Sequence, residues 1–85
     1  MLNQKERVEQ RYLIPKGKIV YLDGNDRQHW ATQSPVCCRK QDKYQGMYSV
    51  VPTNSFEVVN TATKRERVVR AGERVRVPYR SLVKA

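Results

Sequence analysis

From Lys16 onward the chain consists of short runs of β-branched and aromatic residues separated by turn residues, the pattern of a succession of β-strands. Lys18-Ile19-Val20-Tyr21-Leu22 is a β-branched and aromatic run. Asp23-Gly24-Asn25-Asp26 follows with residues that tolerate the positive φ of a hairpin turn, and Gln28 to Thr32 reads as the return strand. Ser34-Pro35 interrupts it, Val36 to Lys40 resumes, and Gln41-Asp42 supplies a turn. Tyr44 to Val51 is the next strand, with Gly46 as a bulge or close-approach point. Pro52 to Ser55 is a turn and Phe56 to Val59 a strand. Lys64 to Val77 then reads as a hairpin folded at Ala71-Gly72, ended by Pro78, with Tyr79 to Leu82 as a single helical turn.

Residues 2–14 break this grammar. Asn3 and Glu6 have the spacing of a capping box, and Lys5 and Glu9 that of an i,i+4 ion pair. Leu2, Val8, Tyr12 and Leu13 form a thin apolar stripe, and Pro15 stops a helix at the residue before it. The segment therefore predicts a short N-terminal helix or arm that must dock to be stable.

Five to six short strands at roughly 8–12-residue spacing predict a mainly β fold, a small antiparallel barrel of SH3-like or OB-like size over residues 16–85. Closing the sheet removes edges that a valine-rich chain would otherwise have to protect. With 85 residues the chain is expected to form one domain, 1–85, with little volume to spare for a deep substrate cavity. Binding on a shallow surface suits it better.

Charge adds a partner class. Seventeen Lys and Arg against eight Asp and Glu give a net charge of +9, a field that draws polyanions. The excess is uneven. Residues 64–85 hold eight basic side chains (Lys64, Arg65, Arg67, Arg70, Arg74, Arg76, Arg80, Lys84) and two acids, Glu66 and Glu73, so they net 8 − 2 = +6. Residues 1–63 net 9 − 6 = +3. Six of the eight are Arg, whose planar fork suits phosphate.

Alternation puts Val75 and Val77 on the core face of the last strand and Arg74 and Arg76 on the other. A tight loop at Ala71-Gly72 would set Arg67 opposite Arg76 and gather Arg65, Arg67, Arg74 and Arg76 into one positive patch, self-repelling without an anion. A bulged turn would set Glu66 opposite Arg76 and partly neutralise it, but would turn Arg65 and Arg67 to the valine side. The tight register is favoured on that ground.

Tyr12, Tyr21, Trp30, Tyr44, Tyr48, Phe56 and Tyr79 could each offer a ring for stacking on bases; Trp30, Phe56 and Tyr21 read as core, and Tyr44 and Tyr79, each beside basic residues, are the better candidates. The adjacent Cys37 and Cys38 point to opposite faces of an extended strand and make a poor disulfide, so one is expected buried as a small hydrophobe and the other partly exposed. With a single His29 and no C-x-x-C pair, no zinc site is expected. Asp23 and Asp26 suit a turn, and no Gly-rich phosphate loop is present. Neither an enzyme nor a cofactor is expected. No apolar run suits a signal peptide or a membrane span, which points to a reducing cytoplasm.

The expectation is a small basic nucleic-acid-binding protein. Lys64, Arg65, Arg67, Arg74, Arg76 and Arg80 would hold the phosphate backbone, with Lys16, Lys18, Arg39, Lys40 and Lys43 as further contacts and Tyr79 or Tyr44 as stacking platforms. The competing expectation is an adaptor or inhibitor whose basic face docks on an acidic patch of a larger protein.

Overall fold

The structure, a computed structural model, describes residues 11–22 and 25–84 and, within them, every side chain except those of Asp26 and Tyr44. The described residues form nine strands: β1 (Arg11–Ile14), β2 (Ile19–Leu22), β3 (Asn25–Thr32), β4 (Val36–Tyr44), β5 (Met47–Pro52), β6 (Phe56–Asn60), β7 (Glu66–Val69), β8 (Val75–Pro78) and β9 (Val83–Lys84). A 3-10 turn, Tyr79–Ser81, stands where a single helical turn is expected. Every pairing is antiparallel, in the order β7-β6-β3-β2-β8-β5-β4-β1-β9.

The mainly β expectation holds, but the barrel of five to six strands does not. Among the described residues the strands lie in one open sheet with β7 and β9 at its edges. One face is buried over most of the sheet. Ile14, Val20, Leu22, Trp30, Val36, Cys38, Val50, Phe56, Val58, Val69, Val75 and Val77 belong to a single cluster drawn from eight of the nine strands. A flat sheet would leave that face wet, so the sheet coils around it. This follows the twist of strands and makes a core without closing the ladder.

The helix expected over 2–14 is corrected for the part described. Arg11–Ile14 is strand β1, paired with β4 through Tyr12↔Cys38 and Ile14↔Val36; residues 2–10 lie outside the described residues. Tertiary burial decides this, since the strand sets Tyr12 and Ile14 on the core face together. Thr32, fully buried, holds the next connection: its Oγ1 accepts from Lys18 N (3.1 Å) and donates to Pro15 O (2.8 Å).

Two local features exchange roles relative to the sequence reading. Gln41-Asp42 is not a turn but the irregular point of the long strand β4. The turn is Gln45-Gly46, where φ is 50° and 81° and Tyr44 faces Met47, the two-residue type I′ geometry.

The expected 64–77 hairpin is also corrected. The turn is present: Glu73 N donates to Arg70 O (3.1 Å) and Gly72 has φ 91°. Those are the marks of a type II turn, which splays its flanking strands instead of holding them as a pair. β7 accordingly pairs with β6, while β8 lies between β2 and β5. Gly72 N donates to Pro52 O (3.1 Å), tying the turn to the end of β5.

Candidate nucleic-acid interface

Cations and tyrosines meet on the core-side face of the sheet, where it emerges from the core near β9. Tyr12 on β1 is in register with Lys84 on β9 and Cys38 on β4. Lys40 is in register with Val50 on β5, and Lys43 with Tyr48. Val50 and Tyr48 are two apart and share a face, so Lys40 and Lys43 share it too. Three residues normally separate opposite faces; the extra residue at the β4 irregularity removes the mismatch. Asp42, in register with Ser49, is turned to the other face.

Lys40 Nζ lies 4.8 Å from the Tyr12 ring centroid and 4.6 Å from that of Tyr48, within cation–π range of both. A hydrogen bond to the Tyr12 side chain raises the Lys40 pKa above its ordinary value; desolvation opposes this, and interactions with the Tyr12 and Tyr48 side chains add to the rise. Lys40 therefore stays charged throughout the physiological range. Tyr48 meets Tyr79 at 4.6 Å between centroids, with the rings tilted by 43°. Tyr12 and Tyr48 are half-buried against the core, whereas Tyr79 is 42% exposed. Lys43, Arg80 and Lys84 are exposed. From β9 to β5 the surface spans three strand spacings, about 14 Å.

The arginines singled out in the sequence do not form one patch. Arg67 is in register with buried Val58 at the β7 edge, and Glu66 with Val59, so neither expected partner of Arg76 is near it in register. Arg76 is half-buried, set between Tyr21 of β2 and Ser49 of β5. Arg67 and Arg74 do line one open cleft of about 340 Å³, with Glu73 and Leu22. Lys64 (φ 67°) and Arg65 belong to the β6–β7 turn, which Asn60 organises by accepting from Ala62 N (2.9 Å) and Thr63 N (3.0 Å). Lys16 and Lys18 are exposed near the β1–β2 turn. Arg39, in register with Arg11 and Val51, is on the face of β4 away from Lys40. The side chain of Tyr44 lies outside what is described.

Of the expected site, Lys40, Lys43 and Tyr79 come together around Tyr48, and exposed Arg80 follows Tyr79 in the chain. Tyr12 and Tyr48, two of the tyrosines open to a stacking role by sequence, join them, and Lys84 is the addition that the sequence reading leaves out of the site. The signal for Tyr48 was Gln45-Gly46: a turn placed at that dipeptide sets Lys43 opposite Tyr48 by counting back.

Cys37 is exposed and Cys38 buried, both free, on opposite faces of β4. Burial, and to a lesser degree the neighbouring Cys37, pushes the Cys38 thiol up to about 11. Its Sγ donates weakly to Tyr12 O at 3.8 Å. Among the described residues no three His, Cys, Asp or Glu side chains gather as metal ligands, and no helix is long and apolar enough to cross a membrane. No family model, curated protein or solved structure matches this chain.

Proposed function

We propose that this chain is a cytoplasmic nucleic-acid-binding protein, not an enzyme, and that it binds through the Tyr12–Lys40–Tyr48–Tyr79 face. The observation that carries the reading is Lys40 held between two tyrosine rings, with Lys43 and Lys84 in register beside them. Cations supply sequence-independent attraction to phosphates, and aromatic faces supply contact to bases. The net charge of +9 favours the same partner class. The arginine-rich segment then contributes only at a distance, through the long-range field.

The test is fluorescence anisotropy against DNA and RNA, single- and double-stranded, from about 50 to 200 mM salt. If Lys40, Lys43, Arg80 and Lys84 each neutralise a phosphate, log affinity falls with log salt at a slope of about −3 to −4. Failure to bind any of them at low salt overturns the reading and turns the search to acidic protein partners.

A further inference from the structure

We infer that the nucleic acid taken by this face is single-stranded, with at least one unpaired base stacked on Tyr79. The inference rests on the binding role just proposed and names its substrate class.

Duplex binding needs cations but not exposed rings, because paired and stacked bases hide their faces. This surface has both. Tyr79 sits in a three-residue 3-10 turn beyond the end of β8 and keeps 42% of its surface in water. Its ring is tilted by 43° from that of Tyr48, so the two do not stack closed on each other. Lys40 stands between Tyr12 and Tyr48 and touches both, which keeps these rings from collapsing into a pair. Tyr12 and Tyr48 are thus held apart by Lys40, and Tyr79 rests at a tilt on Tyr48 with much of its surface still open to solvent.

Charge complementarity argues for a nucleic-acid strand over an apolar peptide. Lys84, Lys40 and Lys43 lie on the tyrosine face by register, and Arg80 follows Tyr79 in the chain. The acid nearest in sequence to Lys40 and Lys43, Asp42, is turned to the opposite face. The width of about 14 Å suits a strand of a few nucleotides laid across β5, β4, β1 and β9.

The experiment compares a labelled single strand, as DNA and as RNA, with a duplex of the same sequence and with heparin as a polyanion without bases. Three proteins are used: the parent, Tyr79→Ala and Tyr79→Phe. Tyr79 is exposed enough that a melting curve should find both variants folded. The parent is expected to prefer a single strand over the duplex. Tyr79→Ala should weaken single-strand binding about five- to hundredfold, the range of one stacked base, while Tyr79→Phe keeps it. Duplex and heparin binding should change by less than about twofold in either variant, since both are held by charge alone. Equal affinity for single strand and duplex, or a preference untouched by Tyr79→Ala, overturns the inference and leaves nucleic-acid binding standing. No binding to any nucleic acid, with or without binding to heparin, overturns both.

Discussion

Lys43 lies opposite Tyr48 across the β4–β5 ladder, although Lys40, three residues earlier, already faces the same side opposite Val50. The odd count is absorbed between Lys40 and Asp42, where Gln41 has no partner in the register. Removing one residue from a strand ordinarily turns every later side chain to the wrong face. Here deletion of Gln41 would leave Lys40↔Val50, Asp42↔Ser49 and Lys43↔Tyr48 intact and only straighten the strand. The deletion is expected to cost no more than about 1–2 kcal/mol in urea unfolding, within the range of ordinary point changes. Deletion of Arg39, which has partners on both sides, should unfold the protein. If both deletions unfold it alike, the bulge assignment is wrong.

The Gln45-Gly46 turn makes a second expectation. Both residues have positive φ, and a Cβ built on Gly46 would meet nothing within 4 Å, so the cost of a side chain there is conformational. Gly46→Ala should destabilise by about 1–2 kcal/mol. Gln45→Asn should stabilise, because Asn-Gly is the preferred type I′ pair. Thermal melts of the two variants should move in opposite directions.

Thr32, fully buried at the end of β3, bridges two backbone groups. Thr32→Val keeps the shape but leaves Pro15 O and Lys18 N without that hydroxyl. A loss of about 1–3 kcal/mol is expected in denaturant unfolding. A variant as stable as the parent would mean that water replaces the hydroxyl.

Cys38 gives a pH dependence. Its folded pKa, about 11, is above the ordinary 9.0 of the unfolded chain. Between those values the folded state binds more protons than the unfolded state, so stability falls as pH rises through this window. Below pH 9.0 this group adds no pH dependence. Cys38→Ala should lower overall stability yet flatten the decline between about pH 9 and 11. At pH 8, a thiol reagent should modify exposed Cys37 well before Cys38.

Two double variants separate the tyrosine face from the arginine segment. Lys43→Ala with Lys84→Ala should flatten the salt slope of single-strand binding by about 1.4. Arg65→Ala with Arg67→Ala, on the β6–β7 side of the sheet, should leave the slope within about 0.3 of the parent. The reverse result would return the phosphate contacts to the arginines.

Much of the local structure was legible in the chain. Alternation identified Val75 and Val77 as core and set Cys37 and Cys38 on opposite faces, because neighbouring side chains in a strand diverge whatever the strand pairs with. Glycine marked the 70–73 turn, because Gly72 takes a φ that other residues resist. Partner choice was not legible. The turn at Gly72 is of a type that spreads its arms, so β7 went to β6 and β8 to β5 and β2, and the single arginine patch was lost with the hairpin. Tyr12 could sit on a helix stripe or a strand face by spacing alone, and pairing with Cys38 decided it. The tyrosine–lysine face depends on five elements from three separate parts of the chain and on one bulge that shifts parity between Lys40 and Lys43. Where a strand runs regularly, as in β8, sequence determined which way each side chain points relative to its neighbours, a property of one strand. Only tertiary structure decided which strands share a face, because that choice is made by burying a common core.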